Sequence, residues 1–497
     1  MRLNISAWSI RRPIPPIVLF IVLMALGVVA FRGLAVTRLP NVDLPIVSVV
    51  VPQFGAAPSE IENQVTKVVE NAVASVSGVR QIISNITDGV SQTTIVFRLE
   101  TDPSRALNEV KDAMAGIRSN LPRTITEPMV SMVDIAGLPI LTYGVTATNK
   151  TAEEISWFID DVVKRGLLGQ RGVGGVERVG GVEREIKVNL DPAKLASAGV
   201  TVNEVNQQLG AANVDVAGGR ALVGGREEAI RTLASARTIA GLAAMPIALP
   251  TGAVVRLDDL GTVLDSTAEP RGFARVNGES VVAFSISRAK GASDVTVARD
   301  VERKIAELHD ANPDFEIKLI DSSVEYTLGN YRATMSTLLE GAALAVIVVF
   351  LFLKDLRATI IAAVALPLSI IPTFWAMDAM GFSLNLVSLL AITLSTGILV
   401  DDAIVEIENI VRHMRMGKSA YQAALEAADE IGLAVIAITF TIIAVFAPSS
   451  FMGGIAGQFF KQFGITVSIA VFCSLLVARL ITPMMAAFFL KCAGHEE

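Results

Sequence analysis

Apolar positions are spread unevenly along the chain. One unbroken run, IPPIVLFIVLMALGVVAF, covers Ile14 to Phe31 and follows Arg11 and Arg12. It is too long for the apolar core of a signal peptide and has no small-residue cleavage site, so it predicts a retained transmembrane helix. About three hundred residues with soluble patterning follow. From Leu338 the apolar runs return in close succession and predict helices near 338–353, 358–378, 384–411, 431–452 and 464–490. The pattern is one helix, a large polar region, then five helices.

Inside the polar region the pattern repeats. SEIENQVTKVVENAVASVSGVRQIISNITDGVSQTTIVFRLETDP (59–103) runs parallel to AEEISWFIDDVVKRGLLGQRGVGGVERVGGVEREIKVNLDP (152–192). Each has apolar residues at helical spacing, a Gly-Val turn, two β-like runs around a second Gly-Val, and a closing Asp-Pro. With IVSVVV (46–51) ahead of the first and ILTYGVT (140–146) ahead of the second, each copy predicts a β-α-β-β unit, the core of a split β-α-β sandwich. Between 183 and 266 the second copy carries an insertion, where Gly218–Gly219 and Gly224–Gly225 flank strand-like runs and predict a projecting hairpin. Neither these glycines nor GQRGVGG (169–175) has the spacing or strand-to-helix setting of a phosphate loop.

Composition supports a membrane protein: 52% of residues are hydrophobic and 18% charged, with mean hydropathy +0.54. The net charge of −7 and the lack of a basic run argue against nucleic acid as a partner. Cys473 and Cys492 lie near the apolar end, so no disulfide supports the polar region. His309, His413 and His495 offer no metal-ligand spacing, and no nucleophile–base pair suggests an enzyme. No metal or other cofactor is expected. Basic residues set the orientation. Arg2, Arg11, Arg12, Lys354, Arg357, Arg412, Arg415 and Lys418 fall at alternate helix ends, whereas the loops near 377–383 and 452–463 hold only Lys461. Both termini are then cytoplasmic and residues 33–335 are translocated.

The chemistry concentrates in GILVDDAIVEIEN, Gly397 to Asn409. On a helix Asp401 and Asp402 project about 100° apart. Asp402, Glu406 and Asn409 share one stripe at i, i+4 and i+7, and Glu408 lies on the stripe of Asp401. Glu408 and Asn409 fall near the helix end. The aspartates stand seventeen and eighteen residues from Leu384, with Arg412 ten residues beyond Asp402. An ionised carboxylate at that depth costs at least about 2.5–3.5 kcal/mol, so a function is expected of it. A proton crossing the membrane potential releases about 2.3 kcal/mol per 100 mV, and two adjacent acids titrating as a coupled pair could capture that. The basic residue well inside a later helix is Arg479, a candidate counter-charge or a side chain that snorkels to the surface. Glu406 has no obvious role.

These residues carry a resemblance. WSIRRPIPPIVLF (8–20), LPNVDLPIVSVVVPQFGAAPSEIENQVTKVVE (39–70), GILVDDAIVEIEN and GKSAYQAALEAADEIG (417–432) are together similar to the resistance–nodulation–division superfamily of proton-driven exporters. The adjacent Asp pair followed by Ala403 resembles its hydrophobe/amphiphile branch. The resemblance implies an α+β membrane protein: residues 1–32 with helix one, porter subdomains at 33–133 and at 134–182 plus 267–334, a docking insertion at 183–266, helices two to six at 335–490 and a linker at 491–497. It also implies a homotrimer in a bacterial inner membrane, a periplasmic adaptor, an outer-membrane channel, contact with membrane lipids and export of small amphiphilic compounds. Asp401 and Asp402 would carry protons; Thr393, Ser395 and Thr396 would be auxiliary polar groups or bond only to helix backbone.

Three departures accompany it. The family carries a second copy of helix, polar domain and five helices, which supplies a lysine opposite the aspartates; the missing C-terminal half, or a partner subunit, would therefore complete the site. Glu406 stands where the motif is ordinarily apolar. Pro139 and Val179 stand near where the drug pocket has aromatic residues. Export of lipid, siderophore or metal on the same scaffold, or a non-transporting assembly or sensor subunit, are the competing readings.

Overall fold

In the first half of the polar region, Val47, Val49 and Val51 alternate along strand β1 (Ile46–Pro52) and are all buried. They meet Ile61, Val65, Val69 and Val73, one from each turn of a helix α3 covering 58–74. Residues four apart drift by about 40° per step on a regular α-helix. A π-helical stretch at Glu62–Thr66 takes up that drift and keeps the stripe on the sheet. The second half repeats the device: Ile155, Ile159, Val163 and Leu167 follow the same spacing on helix α5 (152–168), with a π-helical stretch at Phe158–Val163.

The computed structural model describes residues 5–490, apart from 43, 54, 123–124, 134–136, 213–215, 224–225, 233–235 and 270–271. Arg2, Cys492, His495, the expected linker at 491–497 and the expected turn at Gly224–Gly225 lie outside the described residues. The first sheet joins β2 (Val79–Thr87), β3 (Val90–Phe97), β1 and β4 (Met129–Met132) in the order β2-β3-β1-β4, with helix α4 (Pro103–Gly116) leading toward β4. The second sheet places β6 (Val173–Val179), β14 (Glu279–Arg288), β5 (Pro139–Thr146) and β15 (Glu316–Ser322) in the corresponding order, with β13 (Ala274–Val276) also on β14.

The two copies differ at one strand. The run REIKVNL, expected as the third strand of the second copy, is β7 (Arg184–Leu190), and it pairs with β12 (Gly261–Thr267) in the inserted segment. Its place beside β5 is taken by β14, almost a hundred residues later in the chain. The sequence likeness was local. In both copies a strand is followed by an Asp-Pro that caps a helix, Asp102 on Arg105 N–H and Asp191 on Ala193 and Lys194 N–H. The insertion also holds helices α6 (Pro192–Ala198) and α7 (Val202–Ala212), the hairpin β8–β9 (Val216–Val223 and Arg226–Thr232) and the pair β10–β11 (Pro246–Ala248 and Val254–Arg256).

Among the described residues, six helices are long and apolar enough to cross a membrane: α2 (Ile14–Gly33), α9 (Ser323–Leu353), α10 (Leu356–Ala379), α11 (Leu386–Arg415), α13 (Gly432–Phe451) and α14 (Gly454–Phe489). Two differ from expectation. Helix α9 begins fifteen residues before Leu338, because SVEYTLGNYRATMST is polar yet contains no helix breaker beyond one glycine. At about 46 Å it exceeds the hydrocarbon thickness of about 30 Å, so its first turns project and dock Val324 into the second sheet's core. Helix α14 begins at Gly454 and absorbs most of the expected 452–463 loop. Gly27 of α2 lies so close to the Ile371 carbonyl of α10 that a Cβ would collide with it. A short helix α1 (Ile5–Arg11) and the amphipathic helix α12 (Ala420–Glu430) pack together at one end of the bundle. Arg11, Arg12 and the basic cluster at 412–418 therefore share that end.

One strap joins sheet to bundle. Val36 forms a parallel bridge with Leu384, just ahead of α11. Its carbonyl accepts from Asp294 N–H, the first residue of helix α8 (Asp294–Ala311), at 3.0 Å. The Asp294 carboxylate accepts from Arg38 N–H at 2.7 Å and pairs with Arg288 Nε at 2.7 Å, and Arg288 also donates to Asn41 at 2.8 Å. Burial holds Asp294 above the ordinary carboxylate range, although Arg38 N–H and Arg288 act the other way.

Replacing Arg288 by Met leaves a buried carboxylate without its cation and should cost about 3–5 kcal/mol at neutral pH. Because Asp294 then takes up a proton readily, the loss should shrink as pH falls. Urea unfolding of the whole chain, followed by hydrogen exchange in α8 and β14, measures both; a loss independent of pH contradicts this account.

Candidate functional site

Helix α11 begins on a firm cap. Asn385 Oδ1 accepts from the N–H groups of Val387 and Ser388 at 3.0 and 3.1 Å, and its amide donates to Gln462 Oε1 of α14 at 2.7 Å. Below the cap, Thr393, Ser395 and Thr396 each donate to the carbonyl four residues earlier, at 2.9, 2.7 and 2.9 Å. All three hydroxyls thus bond to helix backbone, and Thr393 and Thr396 also line the groove beside Asp401.

The two aspartates separate as their helical angles require. Asp402 turns into the bundle, 6% exposed, and accepts from Ser474 Oγ of α14 at 2.9 Å. Asp401 opens onto a groove of about 380 Å³ between α9 and α11, lined by Thr337, Gly341 and Ala345 on one side and Thr396 and Gly397 on the other. Glu408 shares the exposed side with Asp401, whereas Asn409 is buried and donates to Ala427 O of α12 at 3.1 Å.

Glu406, without a role in the sequence, is the most buried acid of the stripe. It is 0% exposed, and among the described residues neither carboxylate oxygen has a hydrogen-bond partner. Arg479 Nη1 approaches Glu406 Oε2 to 3.8 Å. Arg479 thus meets the acid stripe at Glu406, one turn beyond the aspartates, and being buried it does not snorkel to the surface. The reason is local. Pro483 lacks an N–H and its ring crowds the carbonyl of Arg479, so α14 widens into a π-helical stretch at Val477–Ile481. From there the guanidinium donates to Ala428 O at 2.7 Å and lies against Gly432, where any side chain would strike it.

At its last turn α11 is clamped to α12. Arg412 donates to Glu430 at 2.9 Å, His413 Nε2 lies 2.7 Å from the same carboxylate, and Lys418 pairs with Glu426. Contact with His413 and Arg412 holds the Glu430 carboxyl down to about 2. Sequence reasoning missed Ser474, Glu430 and Gly432. The amphipathic spacing of α12 signalled a packed helix, but nothing in the sequence paired its carboxylates with α11.

In the second sheet, Pro139 opens β5 and Val179 closes β6, both exposed. Phe273 is 79% exposed, with Arg275 at 5.1 Å from its ring centroid, beside a cleft of about 370 Å³. Sequence reasoning had not singled out Phe273.

Comparison with known proteins is consistent along the whole length. Residues 5–497 match the profile of the AcrB/AcrD/AcrF family. Relatives include multidrug resistance protein MdtC of Pectobacterium atrosepticum, MdtC of Escherichia coli strain E24377A and MdtC of Shigella flexneri, each 32% identical over 493 residues, covering 99% of this chain and 48% of the relative. The chain spans about half the length of these relatives.

A methyl at Gly432 should displace the Arg479 guanidinium and break its bond to Ala428 O. G432A should therefore lower stability by about 1–3 kcal/mol in a thermal melt of the detergent-solubilised chain, while R479M/G432A should show little further loss over R479M. The Glu430 clamp has a sign fixed by its depressed carboxyl. Its contribution is present above the ordinary value of 4.5 and is lost as pH falls toward about 2. Hydrogen exchange in α12, corrected for the intrinsic rate, should accelerate across that window; protection unchanged across it would refute the clamp.

Proposed function

The chain belongs to the AcrB/AcrD/AcrF family, and from that premise we propose that it is the N-terminal half of an inner-membrane, proton-motive-force-driven pump exporting hydrophobic or amphiphilic compounds. The observation that carries the proposal is the placement of the acid pair. Asp402 is buried in the bundle against Ser474 while Asp401 faces a groove, so two adjacent carboxylates meet two different environments.

In this reading Asp401 and Asp402 are the proton carriers. A proton bound at Asp402 removes a charge from an apolar interior, and its release restores one, so each occupancy favours a different packing of α11 against its neighbours. The strap at Val36 passes such a shift to α8 and the second sheet, since it bonds to both helix starts. The two β-α-β sheets are porter subdomains, at 33–133 and at 134–182 plus 267–334. The insertion at 183–266 is a docking domain, and the cleft beside Phe273 is one wall of the substrate path. The working assembly is a homotrimer with a periplasmic adaptor and an outer-membrane channel, both termini of this half being cytoplasmic. The function is transport, with no enzymatic step.

The test uses the complete transporter that contains this half. D401N and D402N should each abolish substrate export by proteoliposomes under a proton gradient, while trimer assembly and substrate binding persist. Export surviving both substitutions sinks the relay. This half alone should move no substrate, because the counter-charge and the second wall of the cleft belong to the other half; active transport by the isolated chain contradicts that part.

A further inference from the structure

The buried polar face of α11 does not stop at Asp402. Asp402, Glu406, Asn409 and His413 stand at i, i+4, i+7 and i+11, and all four are buried. Asn409 reaches Ala427 O, and His413 reaches Glu430, whose side chain is half exposed. A stripe of buried polar residues therefore runs from the deep aspartate toward solvent at the α12 end of the bundle.

Glu406 is the anomalous member of that stripe. A fully buried carboxylate with both oxygens unbonded is costly to keep, and a simple structural ion pair would use those oxygens. Arg479 stands 3.8 Å away and gives its own hydrogen bond to Ala428 O. The guanidinium thus offsets the charge of Glu406 without occupying its oxygens. Among the described residues, the charged groups facing Glu406 are Asp402 on its own helix and Arg479 from the π-helical stretch of α14, with Asp429 beyond Arg479 at the end of α12.

We propose that Glu406 is a proton-carrying residue: it receives the proton that leaves Asp402 and releases it to water at the Glu430 end of the bundle, beside the stripe of Asn409 and His413. The proposal rests on the relay reading above. In the first step the O–H bond on Asp402 breaks and one forms on Glu406, directly after a side-chain rotation or through a bridging water. Asp402 remains as a carboxylate with the Ser474 hydroxyl donating to it, and Arg479 keeps its bond to Ala428 O. In the second step the Glu406 O–H breaks, the proton passes to water at the α12 end, and the Glu406–Arg479 pair is restored. One proton moves and nothing is oxidised or reduced.

Substrate export and proton release by the complete transporter in proteoliposomes, each followed against pH, test this. D402N separates the readings: if export survives it, the relay fails and Glu406 falls with it. With D402N inactive, E406Q should slow proton release and export by on the order of tenfold or more and move the pH profile, with E406D restoring part of the rate. An unchanged rate and pH profile in E406Q overturns the proposal. Should E406Q fail to assemble because Arg479 is left uncompensated, E406Q/R479M removes both charges and must still export slowly. Recovery of wild-type export in that double variant would show that Glu406 serves only to neutralise Arg479.

Discussion

The arrangement of helices around α11 answers the cost of placing carboxylates in an apolar bundle. Asp402 and Glu406 cannot face lipid, so the helix that bears them must be enclosed. Helices α9, α10 and α14 surround α11, and α12 closes its far end. Once enclosed, each acid is met by a specific group: Ser474 for Asp402, Arg479 for Glu406. The π-helical stretch in α14 exists in the same service. A proline that would break a regular helix is used to widen it, and the widened turn aims Arg479 at Glu406.

The same helix is tied mechanically to the extramembrane part. Its cap at Asn385 adjoins Leu384, the bridge partner of Val36, and Val36 is bonded in turn to the first residues of α8. Below the strap, β15 runs into α9 without a loop. Two connections, at the start of α11 and along α9, thus flank the groove into which Asp401 opens.

The duplicated sheets show how a repeat can be right in kind and misplaced in detail. Both copies share a four-residue apolar spacing corrected by a π-helical stretch, and both have the same strand order. Yet the repeat also takes in 184–190, which lie within the 183–266 insertion, because a strand followed by Asp-Pro looks alike wherever it occurs. Strand pairing depends on which edge is available beside β5, and that edge is filled by β14 from beyond the insertion.

The sequence by itself determined the six-helix pattern, the presence of a duplicated α+β region, the two stripes of α11 and the placing of an Asp pair inside an apolar run. These are properties of local periodicity and composition: hydropathy sets spans, 100° per residue sets stripes, and a charged group in an apolar run is conspicuous without coordinates. Only the tertiary structure decided which stripe is buried, that Glu406 is its most enclosed acid, that Arg479 reaches Glu406 before either aspartate, and that α9 extends far beyond its apolar core. Those outcomes depend on which helices lie beside one another and on a backbone widening at Pro483, and neither contact partners nor local helical pitch can be read from spacing along one chain.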